Sequence, residues 1–339
     1  MNFDFTDDQR SIKSTAKEFL AARFKPEKLR ELAETGTYDD SIWDEMRELG
    51  WAGIFVDESH DGQGLGMVEL VILMEEMGYA LAPSPFFANA AAGLLIQHAG
   101  SDEQKQRWLP GIATGDALGA VGEVRNGGAP LVPDAENAAV IVLVDGEGAT
   151  VVERSAAQVE LADTMDSTRR FASVSADGGE PLEGDVQAGL DRVATALAAE
   201  LTGVAQRTME MAVDYAKERK QFDRPVGAYQ AVSHRCAQML MEVESARALT
   251  YFAAYAADSE PDELALAASA AKAYASDAGW RVSASSLQVH GGIGFTWEHD
   301  LHFFLKRAKT DAHLFGTASR HRERVAELSM ARAAAPAAS

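Results

Sequence analysis

The side chains best suited to chemistry sit in two short segments of the second half of the chain. In Tyr215-Ala216-Lys217-Glu218-Arg219-Lys220-Gln221-Phe222-Asp223-Arg224-Pro225-Val226-Gly227-Ala228-Tyr229-Gln230-Ala231-Val232-Ser233-His234 a helical pattern breaks at Pro225 and Gly227 and resumes at Gln230. A guanidinium in the last turn of a helix, here Arg219, can set a planar cation against a pyrophosphate, and the break lets Gln230 begin the next helix facing the same ligand. Phe222 offers an apolar face beside it. In Leu287-Gln288-Val289-His290-Gly291-Gly292-Ile293-Gly294-Phe295-Thr296 the glycines remove side chains, so that backbone N–H groups can approach a phosphate or ribose closely. Either segment alone reads as an ordinary helix end.

Other chemistries find little support. The single cysteine, Cys236, can form neither an internal disulfide nor a cysteine-rich metal site, and reads as a buried helix residue; redox chemistry would have to come from a bound cofactor. Glu298, His299 and His302 have no second cluster to complete a metal site, so with Trp297 they read as packing at the start of the last helix. No metal is expected. A net charge of −21 argues against nucleic acid, because a polyanion needs a positive face to release its counterions. A small pyrophosphate could still be met locally, at Arg169-Arg170, at Arg219-Lys220 with Arg224, or at Arg320-His321-Arg322 with Arg324.

These residues must be positioned by elements legible in the apolar spacing. The chain of 339 residues, 47% hydrophobic, can bury a large core. Gln9–Phe19, Ile42–Leu49, Val68–Leu81 and Phe86–His98 carry helical periodicity, with Thr6 and Asp7 starting the first helix and Ser101-Asp102-Glu103 starting another. Gly62-Gln63-Gly64-Leu65-Gly66 follows no strand and reads as a loop before a helix rather than a dinucleotide fingerprint. Valine-rich runs at Ala138–Val144, Ala149–Val152 and Phe171–Val174, separated by Gly, Pro and Asp, predict a small β unit. Four segments, at 187–219, 228–257, 261–289 and 298–330, then have the lengths of an antiparallel bundle. The expected fold is mainly α with a reduced β domain: a helical domain at 1–116, the β unit at 117–184, a four-helix bundle at 185–331 and a frayed tail at 332–339. The N-terminus lacks the basic start and apolar run of a signal peptide, and no apolar stretch is long enough to span a bilayer, so a cytoplasmic protein is expected.

With that domain order, the two glycine- and arginine-bearing segments resemble the acyl-CoA dehydrogenase family, the first its helix-turn-helix joint and the second its glutamine and glycine turn. Phe3–Ala16, Gly50-Trp51 with Gly64-Leu65-Gly66, and Leu73-Glu75-Glu76-Gly78 fit the family's N-terminal helical domain, so the resemblance spans nearly the whole chain. It implies that Arg219, Phe222, Gln230, His234, Gln288, Gly291 and Gly292 contact the adenosine diphosphate half of an FAD whose isoalloxazine ring sits in a neighbouring subunit. A cofactor shared in that way implies an oligomer, in this family a tetramer made from two dimers.

Family catalysis takes a proton from the carbon next to the thioester and passes a hydride to the flavin, which requires a carboxylate base. Most members carry a glutamate before Gly-Thr; His313-Leu314-Phe315-Gly316-Thr317 puts Phe315 there. Others use the start of the bundle's first helix, where counting back from Gly203 gives Val193. Asp191, the fallback base, lies about 200° around the helix from Val193. The family's threonine-glutamate-proline segment and the glycine, serine and aspartate after it are replaced by Val121-Gly122-Glu123-Val124-Arg125-Asn126-Gly127-Gly128-Ala129-Pro130, in a β unit shorter than usual. The resemblance therefore implies a chain with no catalytic residue of its own, acting as the FAD-completing subunit of an α2β2 enzyme beside a full-length acyl-CoA dehydrogenase partner. Met165–Phe171 and Gly291–His302 resemble the actinobacterial branch that acts on steroyl-CoA thioesters. Two alternatives stay open: a homomeric dehydrogenase whose base is Asp191, Glu200 or Glu123, and a flavin-free helical interaction protein.

Overall fold

The computed structural model describes residues 4–334. Eleven α-helices and nine short strands are ordered along the described chain, which divides into two units, Met1–Leu73 with Ala82–Ala196, and Met74–Leu81 with Leu197–Ser339. Residues 335–339 of the expected tail lie outside the described residues, and the tail's first three positions, 332–334, are helical.

In the first unit lie α1 (Asp7–Arg23), α2 (Pro26–Thr35), α3 (Asp40–Glu48), the first half of α4 (Met67–Ala80), α5 (Phe86–Ala99) and α6 (Asp102–Thr114). Local sequence fixes their starts. Thr6 and Ser101 each accept a hydrogen bond from the N–H three residues on, while Gln9 and Gln104 reach back to the cap's own N–H, forming reciprocal capping boxes. Gly36 and Gly115, both in the left-handed region, end α2 and α6. Helix α5 is almost entirely buried, and its Asn89 is satisfied by the Ile112 carbonyl and the Gly119 N–H.

The β unit is a small sandwich. Strands β1 (Gly119–Glu123), β3 (Val140–Asp145), β4 (Gly148–Glu153) and β7 (Glu180–Pro181) form one sheet in the order β1-β3-β4-β7, with β1 and β3 parallel. Strands β2 (Ala129–Pro133), β6 (Phe171–Ala176) and β5 (Ala157–Leu161) form the other, with a register shift between Ala129 and Val132. Ala120 and Ile141 of one sheet pack with Val132, Ala172 and Val174 of the other in a common core. The valine-rich runs fall on β3, β4 and β6; β1, β2, β5 and β7 carry too little β-branched sequence to be foreseen.

The second unit contains the rest of α7 (Val186–Glu218), then the hairpin β8 (Lys220–Gln221) and β9 (Arg224–Pro225), α8 (Gln230–Ser259), α9 (Pro261–His290), α10 (Leu301–Asp311) and α11 (Ala318–Ala334). Helices α7, α8 and α9 share a core of Ala205, Met209, Ala212, Met239, Val243 and Val282. The fourth segment, expected as one helix over 298–330, is two. Phe315 (φ 53) and Gly316 (φ 99) adopt left-handed backbone, which no α-helix accommodates, and the chain turns between α10 and α11. Helical sections of α4 and α7 touch backbone to backbone: a Cβ on Gly203 would lie 1.9 Å from the Glu75 carbonyl oxygen, and one on Gly78 would lie 2.0 Å from that of Glu200.

Candidate functional site

Arg219 follows the last residue of α7 and is still tied to it, its N–H donating to the Tyr215 carbonyl at 2.9 Å. The Val226 N–H then donates to the Arg219 carbonyl at 2.8 Å, which closes the β8–β9 hairpin and delivers the chain to α8. Its two turn residues, Phe222 (φ 50) and Asp223 (φ 62), both take left-handed backbone, the conformation a tight hairpin demands and that glycine or asparagine usually supplies. Each costs about 1 kcal/mol or more for such a residue, yet the ring that results is 89% exposed. The hairpin is braced from below, with the Arg224 guanidinium 4.0 Å over the Tyr229 ring and the Tyr229 hydroxyl donating to the Gln221 carbonyl.

Arg219, Gln230 and His234 are exposed along this joint, and none of their side chains has a partner among the described residues. In so acidic a protein, a guanidinium left without a carboxylate is placed to meet an anion from outside. Exposed Gln288, in the last turn of α9, is likewise without a side-chain partner among the described residues. Gly291 ends that helix at φ 63, ψ −137, a conformation essentially reserved for glycine. A Cβ on Gly291 or on Gly292 would meet nothing within 4 Å, so the turn fronts open space.

The two segments meet through a pair of rings that the sequence reading did not single out. Tyr215, one helical turn before Arg219, stacks on His290, the residue before Gly291, with centroids 4.5 Å apart and planes 28° apart. His290 Nδ1 donates to the Ser286 carbonyl at 2.8 Å, and His299 meets the ring edge-on at 4.6 Å. The tyrosine and histidine are spaced like ordinary packing residues, and nothing in their own neighbourhoods announces the contact. Trp297 and His302 do touch, at 4.5 Å, with Lys306 over the indole, but Trp297 remains 67% exposed. Cys236 is half-buried on α8 rather than fully buried, and partial burial raises its thiol pKa above the ordinary value.

The candidate base positions are apolar and enclosed. Phe315 is buried at the turn between α10 and α11, where its carbonyl accepts from His321 Nε2 at 2.9 Å. The next carbonyl, of Gly316, accepts from Lys272 Nζ, a fully buried ammonium that also donates to the Asp311 carbonyl and to Ser276 Oγ. Val193 is fully buried on α7. Asp191 is 3% exposed, and its Oδ1 accepts from Gln187 Nε2 at 3.1 Å. Glu200 is bound to Arg307 at 2.6 Å with both side chains almost completely buried. Glu123, at the end of β1, pairs with Arg125 at 3.3 Å. Sequence reading did not weigh Glu75 as a buried carboxylate; it accepts from Arg247 Nε at 3.0 Å and from the Tyr251 hydroxyl at 2.7 Å. Glu75, Asp191, Glu200 and Glu123 are thus each engaged by a neighbouring donor.

Residues 6–116 match the acyl-CoA dehydrogenase N-terminal domain and residues 184–330 the acyl-CoA dehydrogenase C-terminal domain. The acyl-CoA dehydrogenase IpdE2 of Mycolicibacterium smegmatis is 32% identical over 313 residues, covering 92% of this chain and 95% of that protein. IpdE2 of Mycobacterium tuberculosis is 33% identical over 314 residues, 91% of this chain and 93% of the relative. Among solved structures, the Tcur3481-Tcur3483 steroid ACAD superposes with a TM-score of 0.86 at 26% identity, over 97% of this chain and 99% of that one. The ChsE4-ChsE5 complex of Mycobacterium tuberculosis does so with a TM-score of 0.88 at 24% identity, over 99% and 100%. With both terminal domains matched and the helical, β and helical sections in the expected order, the chain belongs to the acyl-CoA dehydrogenase family.

Proposed function

We propose that this chain is the FAD-completing, non-catalytic subunit of a heteromeric acyl-CoA dehydrogenase. The observation that carries the reading is an asymmetry. Arg219, Gln230, His234 and Gln288 present polar ends with no partner among the described residues, around a glycine turn that fronts open space. Both positions where the family keeps its base hold a side chain, Phe315 or Val193, that cannot take a proton. A bidentate cation, amide side chains and a bare glycine turn suit the adenosine diphosphate tail of FAD. Arg219 would sit on the pyrophosphate, Gln230, His234 and Gln288 would orient the tail, and Phe222 would cover it. Gly291 and Gly292 would allow close backbone approach. FAD supplies the hydride acceptor when bound, and the isoalloxazine ring, the thioester and the base belong to a full-length partner subunit in an α2β2 assembly.

Of the solved relatives, ChsE4-ChsE5 is a complex of two proteins and Tcur3481-Tcur3483 is a steroid ACAD, which supports a heteromer and a steroyl-CoA substrate class. Co-expression with a full-length acyl-CoA dehydrogenase should give a tetramer carrying one FAD per heterodimer, read by native mass spectrometry and the visible spectrum. Arg219→Ala should leave the tetramer assembled but lower its flavin content. Full flavin occupancy with acyl-CoA-dependent dye reduction by the isolated chain would overturn the reading.

A further inference from the structure

We propose that the Tyr215–His290 stack is the clasp that fixes the Gly291–Phe295 turn against the end of α7, and that His290 is a positioning residue for the face bearing Arg219. The inference rests on reading that face as a dinucleotide cradle, and it adds the part that makes two separate segments one site. A guanidinium on a hairpin stem and a glycine turn after another helix can grip one pyrophosphate only when their separation is set before the ligand arrives. The glycines cannot set it, since neither Gly291 nor Gly292 has a neighbour that a side chain would reach. Nor can Arg219, whose side chain makes no hydrogen bond or ion pair among the described residues.

The Ser286 hydroxyl, donating to the Thr208 carbonyl at 2.7 Å, and the shared core hold α9 to α7 below the two motifs; at the motifs themselves the ring pair joins them. Tyr215 is bonded through its carbonyl to the Arg219 N–H, so a displacement of the Tyr215 backbone carries Arg219 with it. His290 adjoins Gly291, and its ring is held on three sides: stacked on Tyr215 from α7, bonded through Nδ1–H to the Ser286 carbonyl of α9, and met edge-on by His299 from the turn before α10. Burial together with the neighbouring His299 lowers the His290 pKa, in keeping with a neutral ring that donates one hydrogen bond and stacks through its face.

Hydrogen exchange and FAD binding, measured on the co-expressed complex, test this. His290→Ala and Tyr215→Ala should each speed exchange at the Gly291–Phe295 amides about tenfold, leave the middle of α9 protected, and weaken FAD binding by about five- to tenfold. Tyr215→Phe, which keeps the ring, should restore both, and the double alanine variant should be no worse than either single one, because the two side chains act through one contact. Unchanged exchange at 291–295 in both alanine variants would overturn the clasp, as would a Tyr215→Phe variant as defective as Tyr215→Ala. The Arg219→Ala variant separates the two readings. Lost FAD binding there, with normal exchange in His290→Ala, leaves the cradle standing and removes the clasp. Undiminished FAD binding removes the cradle, and the exchange data still decide the clasp.

Discussion

His321 shows how one side chain can be tied to pH by its surroundings. Its Nε2–H is given to the Phe315 carbonyl, and its Nδ1 is buried with no hydrogen-bond partner among the described residues. Protonation would therefore bury an unpaired N–H, and burial, with Lys272, Arg324 and Arg320 nearby, lowers the pKa to about 4. His98 is lowered to about 4 as well, by burial first and then by Arg192 and Lys105. The unfolded imidazole takes up a proton near its ordinary value of about 6.5 while the folded one does not, so the unfolded state binds more protons between those two values. Stability should be complete above about pH 6.5 and fall as the pH drops toward 4. Urea unfolding across that range checks it, and His321→Asn should flatten the decline. The same turn, where Phe315 has left-handed backbone, is pinned by donors from α9 and α11, Lys272 to the Gly316 carbonyl and His321 to the Phe315 carbonyl.

Two contacts between elements in the second unit should be intolerant of change for different reasons. Where α4 and α7 cross, the glycines let backbone rest on backbone, and a methyl at Gly203 would lie inside the van der Waals radius of the Glu75 oxygen. Gly203→Ala should force the helices apart and cost about 1–3 kcal/mol as overpacking, although alanine is the better helix former. Denaturant titration would register the fall. Glu200 on α7 and Arg307 on α10 form an ion pair with neither side chain more than 3% exposed. Arg307→Ala would leave a carboxylate buried without its cation, and should cost about 3–5 kcal/mol. Replacing both residues with apolar ones of similar volume should cost much less, since the desolvation of both charges is then avoided; a double-substitution cycle measured by denaturant titration compares the two losses.

At the scale of the whole molecule, net charge and surface composition favour assembly of a particular kind. The described surface carries exposed Phe222, Phe295 and Trp297 around the proposed cradle and Leu240, Met241 and Phe252 along α8. Large apolar side chains left exposed on a chain of net charge −21 favour burial against a partner rather than against nucleic acid. On the proposed function, the chain produced alone should come out flavin-free and prone to mis-association; co-expression with the proposed full-length partner should restore a single species, with apparent melting temperature rising as FAD is added. Size-exclusion chromatography and a thermal shift series distinguish those outcomes. No helix among the described residues is long and apolar enough to cross a membrane.

The family and the mainly helical architecture were legible in the sequence, because each is written locally. Capping residues, helical periodicity and the spacing of Arg219, Gln230 and Gly291 depend on neighbours along the chain, as does the proposal that Phe315 and Val193 stand where the family keeps its base. Tertiary structure alone decided the break between α10 and α11, since His313–Thr317 has no proline and the turn is held by Lys272, far off in the sequence, and by His321 across the turn it helps to close. It alone paired Glu75 with Arg247 and Glu200 with Arg307, partners distant along the chain. It alone brought Tyr215 onto His290, because a contact between rings at the ends of two different helices depends on how the helices pack, and packing distance has no local signature.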